Sequence, residues 1–255
     1  MAFESAKIAR LAAPGRFLDI RINNSCRPLL RRPFGVHRVR KDVVEILYEV
    51  VGTGTELLSR RKPEGYLDVI GPLGNGFTFG TENGERRTEY LVAGGMGVAP
   101  LLFLAEELAK LKTRNEKRKT QVLIGAKTKK QILCEKEFKD LGCNVKIATD
   151  DGSRGFKGKV TELLEESLVE NVSATESCGS EDIIYACGPR PMLRAISRIS
   201  QARRIPAQIS LEEHLACGIG ACLGCAVKTR DGYARICKEG PVFEAARISW
   251  GEKGE

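Results

Sequence analysis

Histidine is nearly missing: His37 and His214 are the only two in 255 residues. Histidine is the side chain most used for general acid–base work, so no such group is expected from this chain. His37 reads as a polar neighbour of a binding loop, and His214 as ordinary packing close to a cysteine run. No uninterrupted apolar stretch approaches the roughly 18 residues of a membrane span. The longest candidate, Leu91 to Ala105, is broken by Gly94, Gly95, Gly97 and Pro100. The opening Met1-Ala2-Phe3-Glu4-Ser5-Ala6-Lys7 lacks the basic-then-apolar plan of a secretory signal, and a cytoplasmic location is expected. Long repeats and low-complexity tracts are absent as well.

Acid is scarce in one place. The net charge is +8, and Lys110 to Lys130 holds nine Lys or Arg against a single acid, Glu116. Nucleic-acid binding is the tempting inference. The run has no interleaved aromatics and no recognisable binding motif, so a solvated helix end and turn account for it.

Cysteine, by contrast, is plentiful, with nine residues. In a chain with no secretory signal this suggests metal or catalysis rather than bridges. Cys217, Cys222, Cys225 and Cys237 fall in the pattern C-x4-C-x2-C…C, with eleven residues before the fourth. That is the spacing of plant-type 2Fe-2S clusters. Gly218, Gly220 and Gly224 give the loop the freedom to wrap three thiolates around one object. Their amides could donate to cluster sulfurs. A structural zinc favours two C-x2–4-C pairs, which is a poorer match. Cys26, Cys134, Cys143 and Cys178 have no such spacing and read as ordinary thiols.

Residues 1 to 87 read as short β-strands and turns, including Val43 to Val51 and Tyr66 to Ile70, closed by Gly71-Pro72. Such a series suggests a small barrel. From Thr88 strands alternate with helices: strands at Tyr90–Ala93, Gln121–Ile124, Asn144–Ala148 and Asp182–Ala186, helices at Pro100–Leu111, Leu133–Leu141, Val160–Leu168 and Pro191–Ala202. Glu170 to Glu181 reads as a surface loop. The βαβα order predicts a parallel sheet covered on both faces. The expected architecture is therefore a small antiparallel β-barrel over 1–87, an α/β parallel-sheet nucleotide domain over 88–207 and a small C-terminal iron–sulfur domain over 208–255.

Gly94-Gly95-Met96-Gly97-Val98-Ala99-Pro100 follows a strand and opens a helix, a place where backbone amides can meet a pyrophosphate. A tight turn without ligand is the alternative. Thr149-Asp150-Asp151-Gly152-Ser153 and Cys187-Gly188-Pro189-Arg190-Pro191 also leave strand ends on that edge, which favours a dinucleotide site. In the first segment, Arg32-Pro33-Phe34-Gly35 and Gly52-Thr53-Gly54-Thr55 flank the Val43 strand. Arg32 could meet a phosphate, Phe34 or Tyr48 could lie near a flat ring, and Gly54 with Thr55 could donate. Plain strand-and-turn structure is the competing reading.

The ordered set R-P-F-x-V, V-G-x-G-T, G-P-L-G-N-G-F, G-G-x-G-x-A-P, D-D-G-S, C-G-P-x-P-M-L and C-G-I-G-A-C-x-x-C resembles the electron-transfer subunit of type B dihydroorotate dehydrogenase, in the ferredoxin reductase superfamily. The match runs from Pro14 to Trp250 and is most distinctive from Glu212 to Phe243. The resemblance implies FAD at Arg32, Pro33, Phe34, Gly35, Leu47, Tyr48, Glu49, Gly54 and Thr55. It implies NAD at Gly94, Gly95, Gly97, Pro100 and Gly188, with Cys187 near the nicotinamide. The four cysteines would hold the 2Fe-2S cluster. The implied partner is an FMN-containing catalytic subunit that oxidises dihydroorotate, in a two-plus-two heterotetramer serving pyrimidine biosynthesis. Electrons would pass from FMN through the cluster and FAD to NAD. Lys127, Lys129 and Lys130 stand where a basic group could meet a 2′-phosphate, although the resemblance implies NAD. Gly35 replaces the usual Ser, Arg16 the usual Gln, and the segment before Pro14 is about one strand short. A reductase subunit serving ferredoxin or hydrogenase, and a non-enzymatic iron–sulfur redox sensor, are the alternatives.

Overall fold

The computed structural model describes residues 1–80, 87–112, 118–174 and 182–251. Five strands form the first sheet: β1 (Ala2–Glu4), β2 (Phe17–Arg21), β3 (Arg32–Arg40), β4 (Val43–Ile46) and β5 (Asp68–Leu73), antiparallel in the order β1-β4-β3-β2-β5. Helix α1 (Ala6–Leu11) and helix α2 (Thr53–Ser59) flank it. The short leading segment thus supplies one edge strand and one helix. Leu18, Ile20, Phe34, Val36, Val44 and Ile46 point to one side and make the core of this curled sheet.

The strand expected over Val43–Val51 ends at Ile46. The reason lies in β3, which pairs with β2 through Arg32–Gly35 and with β4 only through Val36–Arg40. Beyond Ile46, β4 has no partner left, so Leu47 to Val51 peels away despite its β-branched residues. Tertiary pairing overrides propensity here. The strand expected to stop at Gly71-Pro72 instead continues through both residues to Leu73.

The second sheet has seven strands in the order β14-β11-β10-β6-β7-β8-β9. Strands β6 (Arg87–Gly94), β7 (Arg118–Ala126), β8 (Asn144–Thr149), β9 (Phe156–Lys157), β10 (Ile183–Cys187) and β11 (Ala207–Ser210) run parallel, and β14 (Val242–Glu244) is antiparallel to β11. Helix α3 (Val98–Lys112) and helix α4 (Glu135–Asp140) bury Leu101, Leu104, Leu108 and Phe138 on one face. Helix α5 (Val160–Ala174) and helix α6 (Arg190–Arg203) bury Leu164, Leu193 and Ile196 on the other. Helix α5 reaches Ala174, so the first part of the loop expected from Glu170 is helical. The rest of that loop, Cys178 included, lies outside the described residues, as do Arg114 to Lys117 of the basic run.

The tail is less separate than its cysteines suggest. Strand β11 crosses the expected boundary at 207/208, and β14 from the tail extends the same sheet. Only the hairpin of β12 (Ala226–Thr229) and β13 (Gly232–Arg235) stands apart. Val227, Ile236, Cys225 and Cys237 share one core with α5, α6 and with Phe17 of the first sheet. Too small to bury a core alone, the cysteine segment borrows one from both neighbours. Among the described residues no helix is long and apolar enough to cross a membrane.

Candidate functional site

The four tail cysteines come together in two pairs. Cys225 and Cys237 are buried with their sulfurs 3.3 Å apart. Cys217 accepts from the Cys222 amide at 3.4 Å and the Ala221 amide at 3.3 Å. Further amides aim at sulfur: Gly220 to Cys237 at 3.1 Å and Gly224 to Cys222 at 3.4 Å. Gly218 and Gly220 have φ of +67° and +85°, the left-handed region that lets a short loop turn its N–H groups inward. The N–H groups of Cys222 and Ile219 bring the Cys217 thiol down to about 6. Burial and the neighbouring Cys225 thiol push Cys237 up to about 12. Among the described residues no three His, Cys, Asp or Glu side chains converge as a single-ion site would require. Two thiol pairs with surrounding amide donors match the donor set of a 2Fe-2S cluster.

The cysteine loop rests on the first sheet. A Cβ on Gly218 would lie 2.6 Å from Oδ2 of Asp19, in the middle of β2. Asp19 is 1% exposed and neither carboxylate oxygen has a hydrogen-bond partner. Burial raises its pKa, against the pull of Arg31 and Arg32. Asn75, in the G-P-L-G-N-G-F run, ties the same sheet to the tail by donating to the carbonyls of Lys238 and Glu239. Nothing in the sequence distinguished Asp19 from a solvent-facing polar residue of an alternating strand, and Asn75 was not singled out.

On β3, Arg32 and Phe34 pair with Ile20 and Leu18 and lie on the face away from Asp19, whereas Pro33 and Gly35 share its face. The Arg32 guanidinium donates to the carbonyls of Leu30 and Arg31 and lies 3.1 Å from where a Cβ on buried Gly54 would be. The Phe34 and Tyr48 rings pack at 5.4 Å, tilted by 59°. Leu47 joins the core beneath α3, and Glu49 is exposed. The Thr55 hydroxyl donates to the Gly52 carbonyl and accepts from the Val51 and Gly52 amides, so it caps α2. The structure therefore brings Arg32, Phe34, Tyr48 and Gly54 together, with the Thr55 hydroxyl engaged locally.

The glycine turn joins β6 to α3 through a short 3-10 turn at Gly95–Gly97. Strand order reverses between β6 and β10, and ligands of open α/β sheets bind outside the strand ends at such a switch point. The turns after β6 and β10 pack tightly: a Cβ at Gly97 would lie 1.9 Å from the Cys187 carbonyl oxygen. Gly95 has φ of +54° and open space beside it. Pro100 is buried in the first turn of α3, and Gly188 is half-buried. Cys187 is 1% exposed, and burial first, then the charge of Glu212, pushes its thiol far up, so it is inert as a nucleophile. The loop after β8 is held by its own turn bonds, Asp151 accepting from the Ser153 amide at 2.9 Å. Ser153 in turn accepts from the Lys129 amide at 2.8 Å.

These two edges meet. Gly35 faces Pro100 across 4.0 Å, measured from an added Cβ. Buried His37 bonds the Ala99 carbonyl through Nδ1 at 3.1 Å, and its pKa is lowered by burial. Arg38 pairs with Glu106 at 2.6 Å, the two side chains 12% and 18% exposed. His37 is thus a clasp between the sheets rather than a proton shuttle.

Comparison with known proteins agrees with this arrangement. Residues 212–249 match the iron–sulfur cluster binding domain of dihydroorotate dehydrogenase B, and residues 91–198 an oxidoreductase NAD-binding domain. The dihydroorotate dehydrogenase B (NAD(+)) electron transfer subunit of Desulforamulus reducens is 41% identical, over 98% of this chain and 92% of that one. That of Caldanaerobacter subterraneus subsp. tengcongensis is 41% identical over 92% and 86%. Among solved structures, a chain of the NADH-dependent reduced ferredoxin–NADP oxidoreductase superposes with a TM-score of 0.81 at 27% identity, over 98% of this chain and 84% of that one. With such identity along nearly its whole length, the chain belongs to the family of dihydroorotate dehydrogenase B (NAD(+)) electron transfer subunits.

Proposed function

We propose that this chain takes electrons from a catalytic partner that oxidises dihydroorotate and delivers them to NAD, in the route to pyrimidine nucleotides. The observation that carries the reading is that the loop bearing the two thiol pairs rests on Asp19 of the first sheet, which also carries Arg32 and Phe34, with Gly54 beside Arg32. When bound, a 2Fe-2S cluster supplies one-electron transfer, FAD links one-electron to two-electron steps, and NAD takes a hydride. The chain's own residues do the holding. Cys217 with Cys222, and Cys225 with Cys237, would ligate the cluster. Arg32 to Gly35, Leu47 to Glu49, Gly54 and the Thr55 backbone would hold FAD. Gly94, Gly95, Gly97, Pro100 and Gly188 would hold NAD at the end of α3, whose amides favour a pyrophosphate. Buried Cys187 would shape the nicotinamide end by packing. The partner is an FMN-bearing subunit, the assembly two plus two, and the location cytoplasmic.

The test is direct. Protein purified without oxygen should contain one FAD and two irons per chain, and should restore dihydroorotate-dependent NAD reduction to the FMN subunit. Zinc in place of iron, or no flavin, would overturn the reading. The full-length likeness to the NADH-dependent reduced ferredoxin–NADP oxidoreductase favours a second reading, a subunit that serves ferredoxin. Electron delivery from reduced ferredoxin, with none from the dihydroorotate-oxidising partner, would select it.

A further inference from the structure

Arg235, at the end of β13, is bound from all sides. Its guanidinium donates through Nη1 to the Gly220 carbonyl at 2.8 Å. Nε donates to Glu239 Oε2 at 3.0 Å, Nη2 contacts Oε1, and the Arg235 amide donates to the same carboxylate at 2.7 Å. Its own carbonyl accepts from the amides of Lys238, Glu239 and Gly240. The far end of this grip is Gly220, whose N–H points at Cys237 Sγ from 3.1 Å. Gly220 stands at φ +85°, and a Cβ there would lie 2.8 Å from Lys238 Cδ and 3.5 Å from Arg235 Nη1, so a larger residue would be strained and would displace the Lys238 side chain. One glycine residue is therefore clamped through its carbonyl by a guanidinium and directed through its amide at a cluster-ligating sulfur. The clamp is itself fixed by a bidentate carboxylate, the geometry in which Arg holds most firmly.

We infer that Arg235 and Glu239 are positioning residues for the cluster: they hold the Gly220 amide against Cys237 and thereby set how readily the cluster takes an electron. This rests on the proposal that the four cysteines hold a 2Fe-2S cluster. An N–H donated to a ligand sulfur withdraws electron density and favours the reduced form, and such bonds are a recognised lever on cluster potential. Neither residue touches the reacting atoms. Their effect passes through one residue, Gly220, whose carbonyl and amide lie in adjacent peptide groups.

The two substitutions separate positioning from simple charge. Arg235→Gln removes a positive charge and the clamp, and both changes lower the potential. Glu239→Gln removes a negative charge but loosens the clamp. A pure charge effect would raise the potential, whereas loss of the Gly220 hydrogen bond lowers it. In cluster-loaded full-length protein, redox titration followed by EPR should show both variants shifted downward. The expected size for Arg235→Gln is a tenfold weaker reduction equilibrium, about 59 mV for one electron. Arg247→Gln, whose partner is exposed Asp231, serves as the control and should titrate like the parent.

A second readout needs no cluster. In metal-free protein the Gly220 amide should exchange with solvent at least tenfold faster in Arg235→Gln and Glu239→Gln than in the parent, with Ile209 in β11 unchanged. A potential that rises in Glu239→Gln, or stays put in both variants, overturns the inference, and so does unchanged Gly220 exchange. Faster exchange supports it even if a variant fails to load. A parent protein that binds no iron would instead sink the underlying cluster assignment, while the exchange experiment would still report on the clamp.

Discussion

Removing the Arg38 guanidinium tests how firmly the two sheets are locked. Arg38 and Glu106 are nearly enclosed, at 12% and 18% exposure, and their contact is 2.6 Å. Burial raises the pKa of Glu106 even beside that guanidinium, so desolvation outweighs the attraction it receives. Arg38→Met leaves an unpaired carboxylate between β3 and α3. Breaking a buried pair on one side costs about 3–5 kcal/mol, and the residual exposure here trims that to roughly 2–4 kcal/mol. For a chain of this size each kcal/mol shifts Tm by about 2–4 °C, so the apparent Tm should fall by roughly 4–16 °C. Arg38→Met with Glu106→Leu removes both charges and should recover most of the loss. The assay is thermal unfolding of the single and double variants at neutral pH, with loaded protein. A single variant within 1 °C of the parent, or a double variant no better than the single, would refute the argument that this pair is a desolvated bridge between the sheets.

Asp19→Asn should stabilise the protein at neutral pH. The folded pKa lies above the ordinary 3.8, so ionisation is penalised in the folded state and the penalty grows as pH rises from 3.8 through the raised value. The gain over the parent should therefore vanish in acid, which urea titrations across pH would show. His37 behaves in the opposite sense: its folded pKa is lowered from 6.5, so its share of stability is present above that pH and lost as pH falls through the lowered value. His37→Asn should flatten the acid limb of a Tm-versus-pH curve below 6.5, and an unaltered limb would show that His37 is not the titrating group. Gly97→Ala places a methyl against the Cys187 carbonyl and should cost about 1–3 kcal/mol by overpacking. It should also weaken NADH binding at least tenfold, and an unchanged NADH titration would remove the turn from the binding site.

The parallel sheet was legible because Tyr90–Ala93, Gln121–Ile124 and Ile183–Ala186 are short apolar runs separated by helical stretches, the pattern of strands buried on both faces. The grouping of the four tail cysteines was legible from their spacing. The early end of β4 was not, because it depends on β3 changing partners at Val36, and a strand carries no mark of where its neighbour leaves. Likewise the sequence shows Asp19 in Phe17-Leu18-Asp19-Ile20-Arg21 as a polar residue facing outward, with no sign that the cysteine loop, some two hundred residues away, covers it. The shared core of the cysteine segment was hidden for the same reason. Its core contacts, Phe17 and the α5 and α6 side chains, come from distant segments. Arg235 and Glu239 look like ordinary surface charges until folding sets Arg235 against Gly220 and Glu239 against Arg235.

The most direct test changes the thiols one at a time. Cys217, Cys222, Cys225 and Cys237 are each replaced by Ser, and each variant is combined with the dihydroorotate-oxidising partner. NAD reduction by dihydroorotate should collapse in every variant while NADH-to-dye turnover persists, because the dye reaction bypasses the sulfur-bound carrier. Undiminished dihydroorotate-to-NAD activity in all four variants would contradict the account.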